Sequence, residues 1–179
     1  MRPEIVDLYH GDTISNFSAL ASVVKGVIHK ASQGLRPDPR YASRRVAWAK
    51  AKPGAYWAAY HYLVPGVAMA AQAAAFFKFA APVPGMDLVV DYEAEGLGFA
   101  DLDGFIGALP WPEDRIVIYG NPSQLEGAPE GLGEYRLWLA EYGSKYRTPK
   151  PWRSPWLWQF SEKVRVRGIA NACDGNVYV

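Results

Sequence analysis

LVVDYEAEG, residues 88–96, is the segment from which the fold is read. Leu88, Val89 and Val90 form an apolar run that stops at the carboxylate of Asp91, the pattern of a strand buried on both faces. The acids therefore begin where the strand ends. If the backbone stays extended through Tyr92, Asp91 and Glu93 project to one side with Cα atoms roughly 6.6 Å apart, two strand rises. In α/β proteins the C-terminal ends of parallel strands open onto the functional crevice, which makes this pair a site candidate. The plainer alternative is a pair of solvated loop acids or a helix N-cap, and Glu95 reads as such a loop acid.

Working outward, EIVDL (residues 4–8) is a first strand that delivers Asp7 to the same rim, followed by the turn-forming YHGDTISNF. Ser15 or Asn16 caps a short helix running to Val24, and VKGVIHKA (24–31) is a second strand rich in β-branched residues. A loop spans 33–39, then a helix spans 40–52 with Tyr41, Val46, Trp48 and Ala49 on its apolar side. AYWAAYHYLV (55–64) is a third strand, the alanine-rich stretch 66–81 a helix, 100–109 a short helix before Pro110, and RIVIYG (115–120) a further strand.

Strand and helix alternate to this point, which implies a parallel sheet with right-handed crossovers. Beyond residue 120 no clear helix separates RLWLAEY (136–142), PWLWQFS (155–161) and VRVRGIA (164–170), so these read as antiparallel strands. A full eightfold β/α barrel takes about 250 residues. The expected fold is therefore α/β, a shortened and irregular barrel with about five β/α units followed by antiparallel strands.

Composition excludes several classes of protein. Half of the 179 residues are apolar and 14% are aromatic, which argues against disorder. A net charge of +1 supplies no basic stripe for a phosphate backbone, so nucleic acid is not an expected partner. No apolar run approaches membrane-spanning length, and the charged N-terminal stretch MRPEIVDLYHGD holds no signal-peptide core, so no membrane association is expected. The single cysteine, Cys173, reads as a small buried apolar residue and not as a nucleophile. His10 and His29 lack metal-ligand spacing; neither a metal nor a cofactor is called for.

Paired carboxylates are what glycoside cleavage requires, one as a proton donor to the leaving oxygen and one to face the developing positive charge. Retaining enzymes hold the two about 5 to 5.5 Å apart and inverting ones about 6.5 to 9.5 Å apart, while a third route lets the sugar's own 2-acetamido group attack. Two acids two residues apart on one strand are compatible with any of these. An ionised Asp91 would raise the pKa of Glu93 and keep its proton available near neutrality.

Seven segments in order resemble glycoside hydrolase family 25, the lysozymes of the N,O-diacetylmuramidase type. They are Asp7 on the first strand, VIHKASQG at 27–34, AYHY at 59–62, the Asp91-Tyr92-Glu93 triplet, the LWLAEY and WQFS segments, and Asp174-Gly175-Asn176. The resemblance covers essentially the whole chain, so residues 1–179 are expected to form one catalytic domain. It departs after Asp7, where Leu8, Tyr9, His10 and Gly11 replace the family's usual serine, aromatic and small polar residues.

The resemblance implies a muramidase that hydrolyses the bond between N-acetylmuramic acid and N-acetylglucosamine in bacterial peptidoglycan. Glu93 would be the general acid, Asp91 its companion, and Asp7 and Asp174 further acids of the same groove. It also implies a monomer that acts on the cell wall, in the manner of a phage endolysin made in the host cytoplasm and released, or of an enzyme exported by a non-classical route. Around the acids, Tyr60, His61, Tyr62, Lys30, Tyr119, Trp158 and Gln159 are the candidate substrate-binding residues, the aromatics because sugar faces stack on rings and Lys30 because crowded acids need a counter-charge. The rival readings are a catalytically silent glycan-binding domain on the same scaffold, a chitinase-like hydrolase, and a cysteine hydrolase using Cys173 and His61.

Overall fold

In the computed structural model, which describes residues Met1–Val179, the strand predicted at the centre spans Leu88–Asp91 and is wholly buried. In chain order the elements are β1 (Ile5–Leu8), α1 (Phe17–Ala21), β2 (Gly26–Gln33), β3 (Arg36–Pro37), α2 (Tyr41–Ala51), β4 (Tyr56–Tyr62), α3 (Met69–Ala80), β5 (Leu88–Asp91), α4 (Phe99–Ala108), β6 (Ile116–Gly120), β7 (Arg136–Ala140), β8 (Leu157–Val164) and β9 (Cys173–Tyr178). β1, β2, β4, β5, β6, β7 and β8 run parallel in that order, and β9 lies antiparallel between β8 and β1. That last pairing closes an eight-stranded mixed barrel, with β3 a short hairpin appended to β2. No helix is long and apolar enough to cross a membrane.

The shortened barrel holds, but its antiparallel part is smaller than expected. β7 and β8 are parallel to β6, and only β9 reverses direction. The connections 121–135 and 141–156 lack α-helix yet exceed the dozen or so residues that a parallel crossover needs. VRVRGIA is not a strand beyond Val164. Val166 and Ile169 instead turn into the apolar cluster around Leu20 and Val24.

Gly168 makes that turn possible. Its φ is +96°, and a Cβ there would lie 2.4 Å from the carbonyl oxygen of Asn16 and 2.6 Å from the amide nitrogen of Leu20. The Gly168 carbonyl accepts the amides of Ser15 and Asn16, so the loop is seated directly on the start of α1. Asn16 is the α1 N-cap, its side chain accepting from the Ala19 amide at 2.9 Å. Gly168→Ala should therefore cost about 2 kcal/mol, through left-handed strain and collision with backbone. Chemical denaturation tests this; an unchanged midpoint would show that the loop is not anchored there.

Period-two alternation sorts the strand residues. Ile5, Ile28, Ala58, Val89, Val117, Tyr119, Trp138 and Leu157 fill the barrel interior. Outside, α3 and α4 pack on one arc through Phe76, Leu102 and Phe105, and α1 and α2 cover another through Leu20 and Trp48. The α2 face differs from expectation. Val46 is exposed, and the buried stripe is Tyr41, Arg44 and Trp48, at helical spacing. Arg44 is buried because it ties down the loop after β1, donating to the Tyr9 carbonyl at 2.6 Å, to the Asp12 carbonyl and to His29 Nε2.

A polar plug closes the N-terminal floor of the barrel. Asp87, 2% exposed, accepts both Nη atoms of Arg136 at 2.6 and 3.1 Å and the Tyr56 hydroxyl at 3.0 Å. The Arg136 guanidinium lies 4.7 Å from the centre of the Trp156 ring.

Candidate active site

The opposite end, where the parallel strands finish, carries the titratable residues. The alternation that puts Val89 inside also puts Asp91 inside, at the last position of β5, with Tyr119 beside it on β6 and Tyr62 on β4. The backbone remains extended one residue further, since the Tyr92 amide donates to the Tyr119 carbonyl at 2.9 Å. Tyr92 points outward and stacks on Phe99, so Glu93 returns to the interior side as predicted. Gln124, from the loop after β6, donates to the Glu93 carbonyl and fixes this turn.

Across the barrel, Asp7 and Asp174 are register partners on β1 and β9. Their carboxyls lie close enough for the charge of each to act on the other. One oxygen of Asp7 also accepts Asn176 Nδ2 at 2.8 Å and Gln159 Nε2 at 3.1 Å. Both amides are themselves oriented: Asn176 Oδ1 accepts the Trp138 indole N–H at 2.7 Å, and Gln159 Oε1 accepts the Tyr119 hydroxyl at 2.9 Å. Trp138 is the platform of the site, with the rings of Tyr119 and Tyr60 leaning on it at 4.5 and 6.5 Å between centroids. Lys30, on β2, sits 4.7 Å above the Tyr62 ring and 5.9 Å above that of Tyr60.

The charges of these groups act on one another. Burial, then the charge of Asp174, pushes Asp7 well above the ordinary carboxylate range. Burial, then the charge of Glu93, does the same to Asp91, with Lys30 opposing. Glu93 itself is raised by burial and held down by Lys30. Sequence reasoning assigned the pair's proton to Glu93 because of a charged Asp91. The stronger upward push falls on Asp91, because Asp91 is 5% exposed while Glu93, only partly covered, stands at the rim. One Asp91 oxygen, Oδ1, is buried without any hydrogen-bond partner. An isolated buried acceptor of this kind is costly unless a ligand or proton meets it.

Asp174 is pushed up to about 6, by burial first and then by the charges of Asp12, Glu162 and Glu93. The sign of the linkage is fixed by that direction. An acid whose folded value lies above its ordinary 3.8 contributes stability fully at low pH and loses it as pH rises through 6. Asp174→Asn should thus flatten the fall in stability between pH 4 and 7 and raise Tm at pH 7 by about 2 to 6 °C, on the order of 1 to 2 kcal/mol. A Tm at pH 7 at or below wild type would rule this out.

Of the residues singled out from sequence, Asp7, Asp91, Glu93, Asp174, Lys30, Tyr60, Tyr62, Tyr119 and Gln159 gather at this mouth. His61 and Trp158 do not. His61 has no exposed surface; it stacks on Phe105 at 5.0 Å, meets Ser32 Oγ at 2.8 Å and faces Gln72 on α3, and burial lowers its pKa to about 4. Trp158 packs outward against Tyr146 at 4.9 Å, its indole N–H given to the Glu141 carbonyl. Both lie one position out of phase with the inward residues of their strands, Tyr60 and Tyr62 on β4 and Gln159 on β8. Cys173 is buried in the α1 cluster, its thiol pushed up to about 12 by burial, and has no contact with His61 that would activate it. Asn176 and Trp138 fall within the quoted Asp174-Gly175-Asn176 and LWLAEY segments but receive no site role from sequence; in the structure they position Asp7 and floor the groove, and both share the inward phase of their strands. Tyr142 likewise receives no role from sequence; it is exposed at the rim and raised by burial and by the charge of Asp174.

A ring of acids and tyrosines at the C-terminal mouth of a closed α/β barrel supplies the paired carboxylates and ring faces that glycoside cleavage uses. The chain belongs to the glycosyl hydrolases family 25, whose sequence profile matches residues 6–169, and it is a glycoside hydrolase. A search among curated proteins returns no significant match. Among solved structures, the chain is similar to the bacterial lysozyme from Streptomyces coelicolor, with 23% identity, a TM-score of 0.83, and 97% of this chain and 90% of that one covered. It is similar to a muramidase from Trichobolus zukalii at 23% identity and TM-score 0.81, covering 97% and 92%. The CTP1L endolysin matches at 24% identity and TM-score 0.80, covering 100% of this chain and 67% of that one.

Proposed function

We propose that the enzyme is a peptidoglycan muramidase that hydrolyses the β-1,4 bond between N-acetylmuramic acid and N-acetylglucosamine. The observation that carries the reading is the unpartnered, buried Asp91 Oδ1 two residues from an exposed carboxyl, within a groove floored by tyrosines. A 2-acetamido N–H is a donor suited to that oxygen. Donation to Asp91 favours its charged form, and a saccharide covering the rim removes water from Glu93. Both changes move the pair's proton toward Glu93, which then delivers it to the glycosidic oxygen. Asp91, anchoring the acetamide, directs its carbonyl oxygen at the anomeric carbon as the protonated glycosidic C–O bond breaks, the substrate-assisted route, and a water that gives its proton to the now ionised Glu93 then opens the cyclic intermediate. Asp7, with Asp174, Asn176 and Gln159, holds the far wall of the groove.

Family membership and the lysozyme and muramidase relatives support the choice of wall glycan over other polysaccharides. Mass spectrometry of digested cell walls tests it. Fragments should carry reducing N-acetylmuramic acid ends. Cleavage of chitin oligomers at comparable rate, with reducing N-acetylglucosamine ends from walls, would favour the chitinase-like reading, and wall binding without cleavage the silent one.

A further inference from the structure

Next to the catalytic mouth, and sharing Lys30 with it, a cleft of about 550 Å³ opens between the β2–β3 hairpin and the segment after β4. Cavities of this size take ligands of several hundred daltons. Its wall carries three basic side chains. Lys30 hydrogen-bonds only Gln33 Oε1, at 2.8 Å, and forms no ion pair; Arg36, exposed on β3, forms neither an ion pair nor a hydrogen bond. His10 is held by Asp38, whose Oδ2 meets both its ring Nδ1 and its amide at 2.9 Å, leaving Nε2 free on a side chain that is 54% exposed. Asp38 is fully engaged, since its other oxygen accepts the Arg40 amide at 2.8 Å. Apolar surface lies between these basic side chains, with Leu35 54% exposed at the hairpin and Val64 packed beside Gly34.

An acidic ligand with small aliphatic groups, tethered to a saccharide in the adjoining groove, matches this lining. We propose that the cleft is a subsite for the carboxylate-bearing peptide stem on muramic acid, read by Arg36, Lys30 and His10, so that the enzyme selects stem-bearing wall glycan over bare glycan. This inference rests on the muramidase reading above. Arg36 is exposed on β3 and forms no ion pair with the acids, so its replacement tests the subsite by itself.

The experiment compares reducing-end release from wall glycan carrying its stems with release from the same glycan stripped by an amidase, for wild type, Arg36→Glu and Arg36→Lys. Wild type should prefer the stem-bearing substrate about five-fold in kcat/KM, mainly through KM, the scale set by exposed ion pairs. Arg36→Glu should bring that ratio close to one, and Arg36→Lys should keep most of it. Equal cleavage of both substrates by wild type, or a preference that survives Arg36→Glu, overturns the assignment. A preference abolished by removing phosphate-linked wall polymers and not by removing stems also overturns it, identifying a phosphate polymer as the occupant. Release from neither substrate would remove the muramidase reading and this subsite together.

Discussion

Replacing Glu93 by glutamine should lower kcat on wall glycan by about 10²- to 10⁴-fold, the usual contribution of a positioned general acid. The amide keeps the shape of the side chain and its place after β5 but has no proton to give. It also removes the charge that pushes Asp91 and Asp174 upward, so both acids should titrate lower in the variant. Binding to insoluble walls should persist, because the tyrosines, Lys30 and the Asp7 network are untouched. Retention of a tenth or more of wild-type turnover by Glu93→Gln would take the acid role away from this residue.

The largest stability effect is expected at the other end of the barrel. Asp87→Ala should cost about 3 kcal/mol and lower Tm by about 6 to 12 °C, since it strands the Arg136 guanidinium and the Tyr56 hydroxyl against the interior. The partial exposure of Arg136 keeps the cost at the low end for a broken buried pair. Asp87 is at the floor and the acids are at the mouth, so kcat at low temperature should be unchanged. A Tm within 2 °C or so of wild type would mean that water replaces Asp87 at little cost.

Much of this arrangement is legible in the sequence because parallel strands advertise themselves. The run Leu88–Val90 followed by Asp91 and Glu93 carries both the direction of the strand and the side on which the acids emerge. The same alternation, applied to AYHY and WLWQF, places Tyr60, Tyr62 and Gln159 inward and His61 and Trp158 outward. Residue type favoured His61 and Trp158, and strand phase decides against them. Closure is harder to read. Nothing local to Asp7 or Asp174 states that they are cross-strand neighbours; the register of β9 between β8 and β1 determines it. Strand direction after residue 120 departs from expectation because the expectation takes helix as the sign of a parallel crossover, whereas span length is the physical requirement.

The seam between β1 and β9 links Asn176 to Asp7 across 169 positions of sequence. Bringing such distant strands together is among the slowest and entropically most demanding steps a chain of this size can take. Because the wall of the groove is that seam, a partly folded form in which the barrel is still open has no groove to offer. Regain of catalysis after dilution from denaturant should accordingly trail the return of helical signal, making turnover a clock for the final closing event.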